Sequence, residues 1–368
     1  VLSQEQQDLR ETLRRFFAHS SPEAEVRRLM ETEAGYDSGL WTRMADELGL
    51  QGFTIPEKFG GSGFGFVDLQ VVLEEMGRVL LCAPFLSSAV LATQALLASG
   101  DEVACAEYLP AIAAGTSIAT LAVTERSGFW STTGMSTRAV PSDGGFRLEG
   151  TKFFVLDGHV ADLLLVVAVS PAGPGLFAVR ADAAGLERRP LTTLDLTRKQ
   201  TELVFDGTPA RLVGEDGAAA YAVDHAVQRT LAALAAEQVG GARRVLEMSV
   251  EYAKIRVQFG RPIGSFQAIK HKCADMLLEV ESATSAAYAA GEAVDEGSDE
   301  AGLLASLAKA YCSDAYFRAT AENIQVHGGI GFTWEHPAHL YLRRAKSSQL
   351  MFGAPSQHRE LILQMLGV

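Results

Sequence analysis

The chain has 368 residues, 48% of them hydrophobic, enough to bury a large core spread over two or three domains. A formal net charge of -13 excludes non-specific binding to nucleic acid or to an anionic membrane surface, although a local basic cluster can still hold an anionic ligand. The four cysteines, Cys82, Cys105, Cys273 and Cys312, are too scattered for a disulfide framework or a metal motif and read as reduced thiols.

The stretch Val1–Arg14 mixes Gln, Glu, Asp and Arg and has no apolar signal core. The longest aliphatic run, Leu163–Val169, falls far short of the ~20 residues that span a bilayer, so a cytoplasmic location is expected. Up to about Gly115 the pattern is helical. Leu2, Leu9, Leu13 and Phe16 recur at helical spacing, as do Leu40, Met44 and Leu48, and further helices are predicted over 67–80 and 86–97. Turn signals separate them, among them Ile55-Pro56 and the run Phe59-Gly60-Gly61-Ser62-Gly63.

From Ile118 to Val213 short apolar runs alternate with Gly, Pro and Asp. Phe146/Leu148, Phe153/Val155, Leu163–Val169, Phe177–Val179 and Leu203–Phe205 read as strands. With no long helical pattern between them, a compact antiparallel sheet fits better than βαβ units. After Gly217 the helical period returns. Leu231, Leu234, Gln238, Ala242, Val245 and Ser249 mark one long helix, and Phe266 to Ala287 a second. A third covers about 301–326, and shorter ones 339–351 and 356–366. Long helices joined by short loops predict an antiparallel bundle, with Gly240-Gly241 allowing a close crossing. The domains are expected at 1–117 (helical), 118–217 (β) and 218–368 (helical bundle), an α+β fold.

Three stretches then become specific: Arg256-Val257-Gln258-Phe259-Gly260-Arg261-Pro262-Ile263 with Phe266-Gln267, Gln325-Val326-His327-Gly328-Gly329-Ile330-Gly331-Phe332, and Leu340–Lys346. In this order and spacing the chain resembles the acyl-CoA dehydrogenase family from end to end. The resemblance implies an N-terminal helical domain, a middle β-barrel or sandwich and a C-terminal four-helix bundle. It also implies a tetramer that binds FAD across subunit interfaces. Arg256, Phe259, Gln267, Gln325, Gly328 and Gly329 match the positions that hold the diphosphate and adenosine half. Arg256 suits a charge-assisted bond to a phosphate oxygen, and Gly328-Gly329 a close backbone approach. Without the resemblance, Phe259 and Gln267 also fit ordinary packing, and Gly328-Gly329 a helix stop.

The chemistry implied by the resemblance removes a proton alpha to a thioester carbonyl, which needs a carboxylate base of raised pKa. The family's usual Glu position is Phe352 here. A minority position for the base, directly before an Arg, reads Gln228-Arg229. No catalytic base is therefore assigned, with Arg229 left as a supporting residue or a helix-end arginine. Glu237 and Glu247 are acids on the long helix with no register that aims them at a substrate. On the flavin-ring side, Thr124-Glu125-Arg126-Ser127-Gly128-Phe129 departs from the usual Thr-Glu-Pro start. Phe154-Val155-Leu156 stands where Trp-Ile-Thr is usual, so Phe154 can cover a ring but Leu156 has lost the hydroxyl. Glu125 reads either as part of a flavin-binding loop or as a solvated acid. His327 reads as a phosphate contact or a helix-end cap. His336 and His339 lack acidic or thiol partners in sequence, so no metal site is assigned. Arg343-Arg344-Ala345-Lys346 reads as a solvated or interface helix face.

This split, with the diphosphate half kept and the ring half and base altered, is expected of the base-less subunit in a heterotetramer. Some actinobacterial acyl-CoA dehydrogenases, including ones acting on steroid side-chain thioesters, are of that kind. The implied partners are a second, base-bearing family member, an acyl-CoA and an electron-transfer flavoprotein. A homo-oligomer with a non-standard base and a catalytically inactive scaffold are the competing readings.

Overall fold

A computed structural model describes residues 2–128 and 130–368. In chain order the helices α1 (Gln4–Ser20), α2 (Glu23–Met30), α3 (Ser38–Asp46), α4 (Phe66–Arg78), α5 (Thr93–Ala98) and α6 (Glu102–Ala113) come first. Strands β1 (Ala119–Ala122), β2 (Arg138–Ser142), β3 (Gly145–Leu156), β4 (Leu163–Ser170), β5 (Gly173–Arg180), β6 (Leu186–Pro190) and β7 (Gln200–Val213) follow. The chain ends with α7 (Ala219–Ile255), the short hairpin β8 (Val257–Gln258) and β9 (Arg261–Pro262), and then α8 (Gln267–Asp295), α9 (Ala301–His327), α10 (Ala338–Leu350) and α11 (Pro355–Met365). These residues form two compact units, one of Val1–Arg28, Phe66–Leu81 and Leu231–Val368, the other of Leu29–Gly65 and Cys82–Thr230.

The first unit is helical. Its alanines and glycines let helices approach until backbones touch. A Cβ on Gly240 of α7 would lie 1.9 Å from the carbonyl oxygen of Glu74 on α4, and one on Gly77 of α4 would lie 2.0 Å from that of Glu237. The crossing predicted from Gly240-Gly241 is thus a contact of main chains that no larger residue permits. Gly241 faces the ring of Tyr316, buried on α9, at 2.5 Å from the same hypothetical atom. Beside the crossing, buried Glu74 accepts from Arg10 at 2.7 Å and from Arg243 at 3.3 Å, and burial raises its carboxyl despite both guanidiniums. Helix α1 starts on a reciprocal cap in which Gln6 N–H donates to Ser3 Oγ and Ser3 N–H to Gln6 Oε1.

The second unit holds the sheet, in the order β1-β4-β2-β3-β7-β5, with β6 on β7. Most neighbours are antiparallel as the short spacings imply, but β1 and β2 both run parallel to β4. β4 is apolar along nearly its whole length, which suits a central strand buried on both faces. Arg138–Ser142 and Leu186–Pro190 had no apolar alternation to reveal them and are strands because partners pair with them. The segment predicted as one helix over 86–97 is a π-helical turn, Leu86–Ala92, followed by α5. No helix among the described residues is long and apolar enough to cross a membrane.

Candidate functional site

In the helical unit, contacts set α8 and α9 antiparallel and place their functional ends together. The Cys312 thiol donates to Ala283 O, Arg318 pairs with Glu279, and Lys272 pairs with Glu322. Gln267, at the start of α8, and Gln325, at the end of α9, therefore share one end of the helix pair. α7 delivers its C-terminus to the same end: Ser249 donates to Asn323 at 2.8 Å, and the Tyr252 ring stacks on His327 at 4.3 Å. Arg256 follows one turn after Tyr252, Gly328 one residue after His327. Arg256, Phe259, Gln267, Gln325, Gly328 and Gly329 are thus gathered by three helix ends and the β8–β9 hairpin.

All six are exposed. The side chains of Arg256, Gln267 and Gln325 have no hydrogen-bond or ion-pair partner among the described residues. A Cβ on Gly328 or Gly329 would meet nothing within 4 Å. The hairpin turns through Phe259 (φ 54) and Gly260 (φ 77), both in the left-handed region that a tight two-residue turn demands. That turn holds the Phe259 ring out at 92% exposure, an unusual place for a large apolar side chain. From Lys254 to Lys272 the sequence contains Lys254, Arg256, Arg261, Lys270 and Lys272 and no acid. Unpaired donors, open backbone and local positive charge fit the diphosphate and adenosine half of a dinucleotide. Within this chain Phe259 and Gln267 are exposed rather than packed, and Gly328 ends α9 as its C-cap.

In the sheet unit, residues 124–128 lie against the end of β3. Phe153 N–H donates to Thr124 O, and Arg126 sits over the Phe153 ring at 4.9 Å. β3 bulges between Lys152 and Val155, and Phe154 takes φ 57 with 42% of its surface exposed. The bulge turns an aromatic face outward where an ordinary strand would not. Leu156 is buried and offers no hydroxyl. Phe129 lies outside the described residues.

Glu125 is not a solvated acid. Its carboxylate accepts from the N–H and Oγ of Ser136, from the N–H and Oγ1 of Thr137, and from Lys152 Nζ at 3.1 Å. Burial works to raise its pKa, but these bonds and the ammonium win and hold it at about 2. Lys152 is fully buried and also donates to Val123 O; burial lowers it to about 8 against the pull of Glu125. The sequence reading passed over Lys152, Ser136 and Thr137. The available signal was a lone lysine inside an otherwise apolar strand.

The positions where a base was sought are plain in their chemistry. Phe352 is buried with φ 58, in a loop fixed by His358 Nε2 on Phe352 O and by Lys309. Lys309, also unnoticed in sequence, is fully buried and donates to Ser313 Oγ, Gln349 O and Gly353 O at 3.0, 3.0 and 3.1 Å. Burial lowers its ammonium to about 7. Gln228 and Arg229 are half-buried on the first turns of α7. Glu237 is engaged by Arg344 at 2.9 Å, both buried, and Glu247 by Arg78 and Arg244. Arg344 corrects the reading of 343–346 as a solvated face: its guanidinium lies in the core and donates to Glu237 and Leu81 O. His327 is buried and caps its own helix through Nδ1 to Asn323 O, so the helix-end reading holds and the phosphate contact does not. No group of three or more metal-ligating side chains occurs among the described residues.

Three family models match in sequence: "Acyl-CoA dehydrogenase, N-terminal domain" over residues 3–116, "middle domain" over 120–208 and "C-terminal domain" over 217–367. The chain is 36% identical over 357 residues to acyl-CoA dehydrogenase IpdE2 of Mycolicibacterium smegmatis, covering 97% of each protein. Among solved structures it is similar to a variant of the Tcur3481-Tcur3483 steroid ACAD, with a TM-score of 0.88, 31% identity and coverage of 99% and 98%. It is also similar to the ChsE4-ChsE5 complex from Mycobacterium tuberculosis, with a TM-score of 0.90, 29% identity and coverage of 100% and 98%.

Proposed function

The chain belongs to the acyl-CoA dehydrogenase family, and from that membership we propose that it is the base-less subunit of a heteromeric enzyme that dehydrogenates an acyl-CoA thioester between its alpha and beta carbons. The observation that carries the reading is a mismatch. The nucleotide end of the helical unit has free, exposed donors at Arg256, Gln267 and Gln325, while Phe352 and Gln228 occupy the two base positions. Neither a phenyl ring nor a neutral carboxamide accepts a proton from carbon at a useful rate.

FAD is the family's cofactor and supplies, when bound, the acceptor for the hydride that leaves the beta carbon. On this reading Arg256 pairs with its diphosphate, Gln267 and Gln325 hydrogen-bond its nucleotide half, and Gly328-Gly329 lets the backbone come close. Phe154 offers an aromatic face for a ring, and the Glu125–Lys152 pair holds the adjoining loop. The second subunit contributes the carboxylate. Relatives support the pairing, one of them a complex of ChsE4 with ChsE5 and another a steroid ACAD carrying two names. A steroid-type or other bulky acyl group is the favoured substrate class, and an electron-transfer flavoprotein the expected oxidant.

One observation favours a second reading. Asp224 lies one turn before Gln228 on α7, has no hydrogen-bond partner among the described residues, and is raised by partial burial. A homo-oligomer using Asp224 as its base is the alternative. Flavin absorbance and native mass decide between them. Colourless chain alone that becomes a yellow, active mixed tetramer with a base-bearing homologue supports the first reading. A yellow homo-oligomer bleached by acyl-CoA, and silenced by Asp224→Asn, establishes the second.

A further inference from the structure

The loop that carries Gly328 and Gly329 is flanked by two histidines in ring contact. The His327 ring stacks on Tyr252 and meets the His336 ring at a 41° tilt, with centroids 4.3 Å from each. Its Nδ1 faces Asn323 O at 2.8 Å, so the neutral ring carries its hydrogen there. His336 is oriented the other way, because its Nδ1 accepts the N–H of Ala338 at 3.2 Å and must keep a lone pair. Ala338 is fully buried and opens α10, and Pro337 before it has no N–H to offer.

A proton that charges His336 can only bind Nδ1, the accepting atom. Three consequences follow from that one event. The buried Ala338 N–H loses its acceptor. A positive charge arrives at the N-terminus of a 13-residue helix, the end that repels it. The same charge faces the His327 ring. We propose that the His327–His336 pair is a proton-operated latch on residues 328–337, closed while both rings are neutral and opened when His336 is protonated.

The surrounding charges agree. His327, Arg27 of α2 and, reciprocally, His339 of α10 oppose a cation at His336, while Glu23 of α2 favours one. Glu23 is itself paired with Arg27 at 2.7 Å. From α7, the Tyr252 ring packs on His327. Burial, then the neighbouring ring, sets His336 below the ordinary histidine range, and burial does the same for His327. Neutral rings are therefore favoured by the fold. Loop stability is fully present above the unfolded value of about 6.5 and is lost as pH falls through the lower folded values. That opening would release flavin rests on the proposed function; the opening itself does not.

Hydrogen exchange of the peptide covering 328–340, corrected for intrinsic rate, tests the latch in the full chain without flavin. Between pH 7.5 and pH 5.0 the wild-type peptide is expected to lose about tenfold or more of its protection. Peptides of α8 should keep theirs. His336→Asn, whose carboxamide oxygen can accept from Ala338 without titrating, should stay protected at pH 5.0. Should that variant not fold, His327→Leu is expected to move the opening midpoint to higher pH. A pH-independent wild-type loop, a loss spread evenly over the unit, an Asn variant that opens like the wild type, or an unmoved midpoint in the Leu variant each overturns the proposal.

Discussion

Lys309 and Lys152 are fully buried ammonium groups, and each survives because three acceptors surround it. They differ in what the acceptors carry. Lys152 has a carboxylate, whereas Lys309 bonds two carbonyls and a hydroxyl and so remains a poorly compensated charge. A lysine whose folded pKa is lowered to about 7 binds fewer protons than the unfolded chain between that value and 10.5. Stability therefore rises with pH across that window. Lys309→Met is expected to flatten the rise in melting temperature between pH 7 and 10, and a slope equal to that of the wild type would contradict the assignment. Glu125 gives a slope of the same sign in a lower window. Its folded pKa of about 2 lies below the ordinary value of 4.5, so its contribution is present above pH 4.5 and is lost as pH falls toward 2. Glu125→Gln leaves Lys152 buried without its counter-ion and should cost about 3 kcal/mol at pH 7, measurable by urea unfolding. A change within about 0.5 kcal/mol, as at ordinary surface positions, would show that the loop is held by something else.

Among the elements, the α4–α7 crossing shows how small residues decide packing. Gly77 and Gly240 each face a carbonyl of the other helix at a separation that a methyl group cannot occupy. Gly240→Ala must push the helices apart or abolish folding, at a cost of about 3 kcal/mol or more, read from melting temperature and soluble yield. Alanine tolerated at wild-type stability would mean that the helices slide freely here. The β8–β9 hairpin makes the complementary point. Its turn spends two left-handed residues to present Phe259 outward, and with Phe332 at 81% exposure the helical unit carries two large apolar rings in the open.

For the whole molecule, the prediction is one of stoichiometry. On the proposed reading, donors for the nucleotide half sit in the helical unit and an altered ring-facing strand in the sheet unit, while Phe352 and Gln228 stand at the two base positions. A mixed tetramer is then expected to hold fewer flavins than chains. Arg256→Ala in this chain should weaken flavin binding by about 10- to 100-fold, as loss of a charge-assisted bond does, without changing the native mass. Unchanged flavin content in that complex would remove the nucleotide-holding role.

Much of this protein was legible along the chain because the signals are local. Helical spacing of Leu and Ala, short apolar runs broken by Gly and Pro, and the motifs around Arg256 and Gln325 each depend on residues near in sequence, and they determined the order of elements and the family. That Phe352 and Gln228 lack an acidic group was equally legible, whatever surrounds them. Strands β2 and β6, the parallel pairing of β1 and β2 with β4, and the partners of Glu125, Glu237 and Arg344 were not legible. Each depends on a pairing that no local pattern announces, from the hairpin of β2 with β3 to Arg344 on Glu237, 107 residues apart. Burial is likewise a property of the assembled unit: it makes ordinary lysines at 152 and 309 into clamps, and brings the rings of His327 and His336 into contact. Only the tertiary structure decides these, because the free energy of a charge or a hydrogen bond is set by what the fold packs around it.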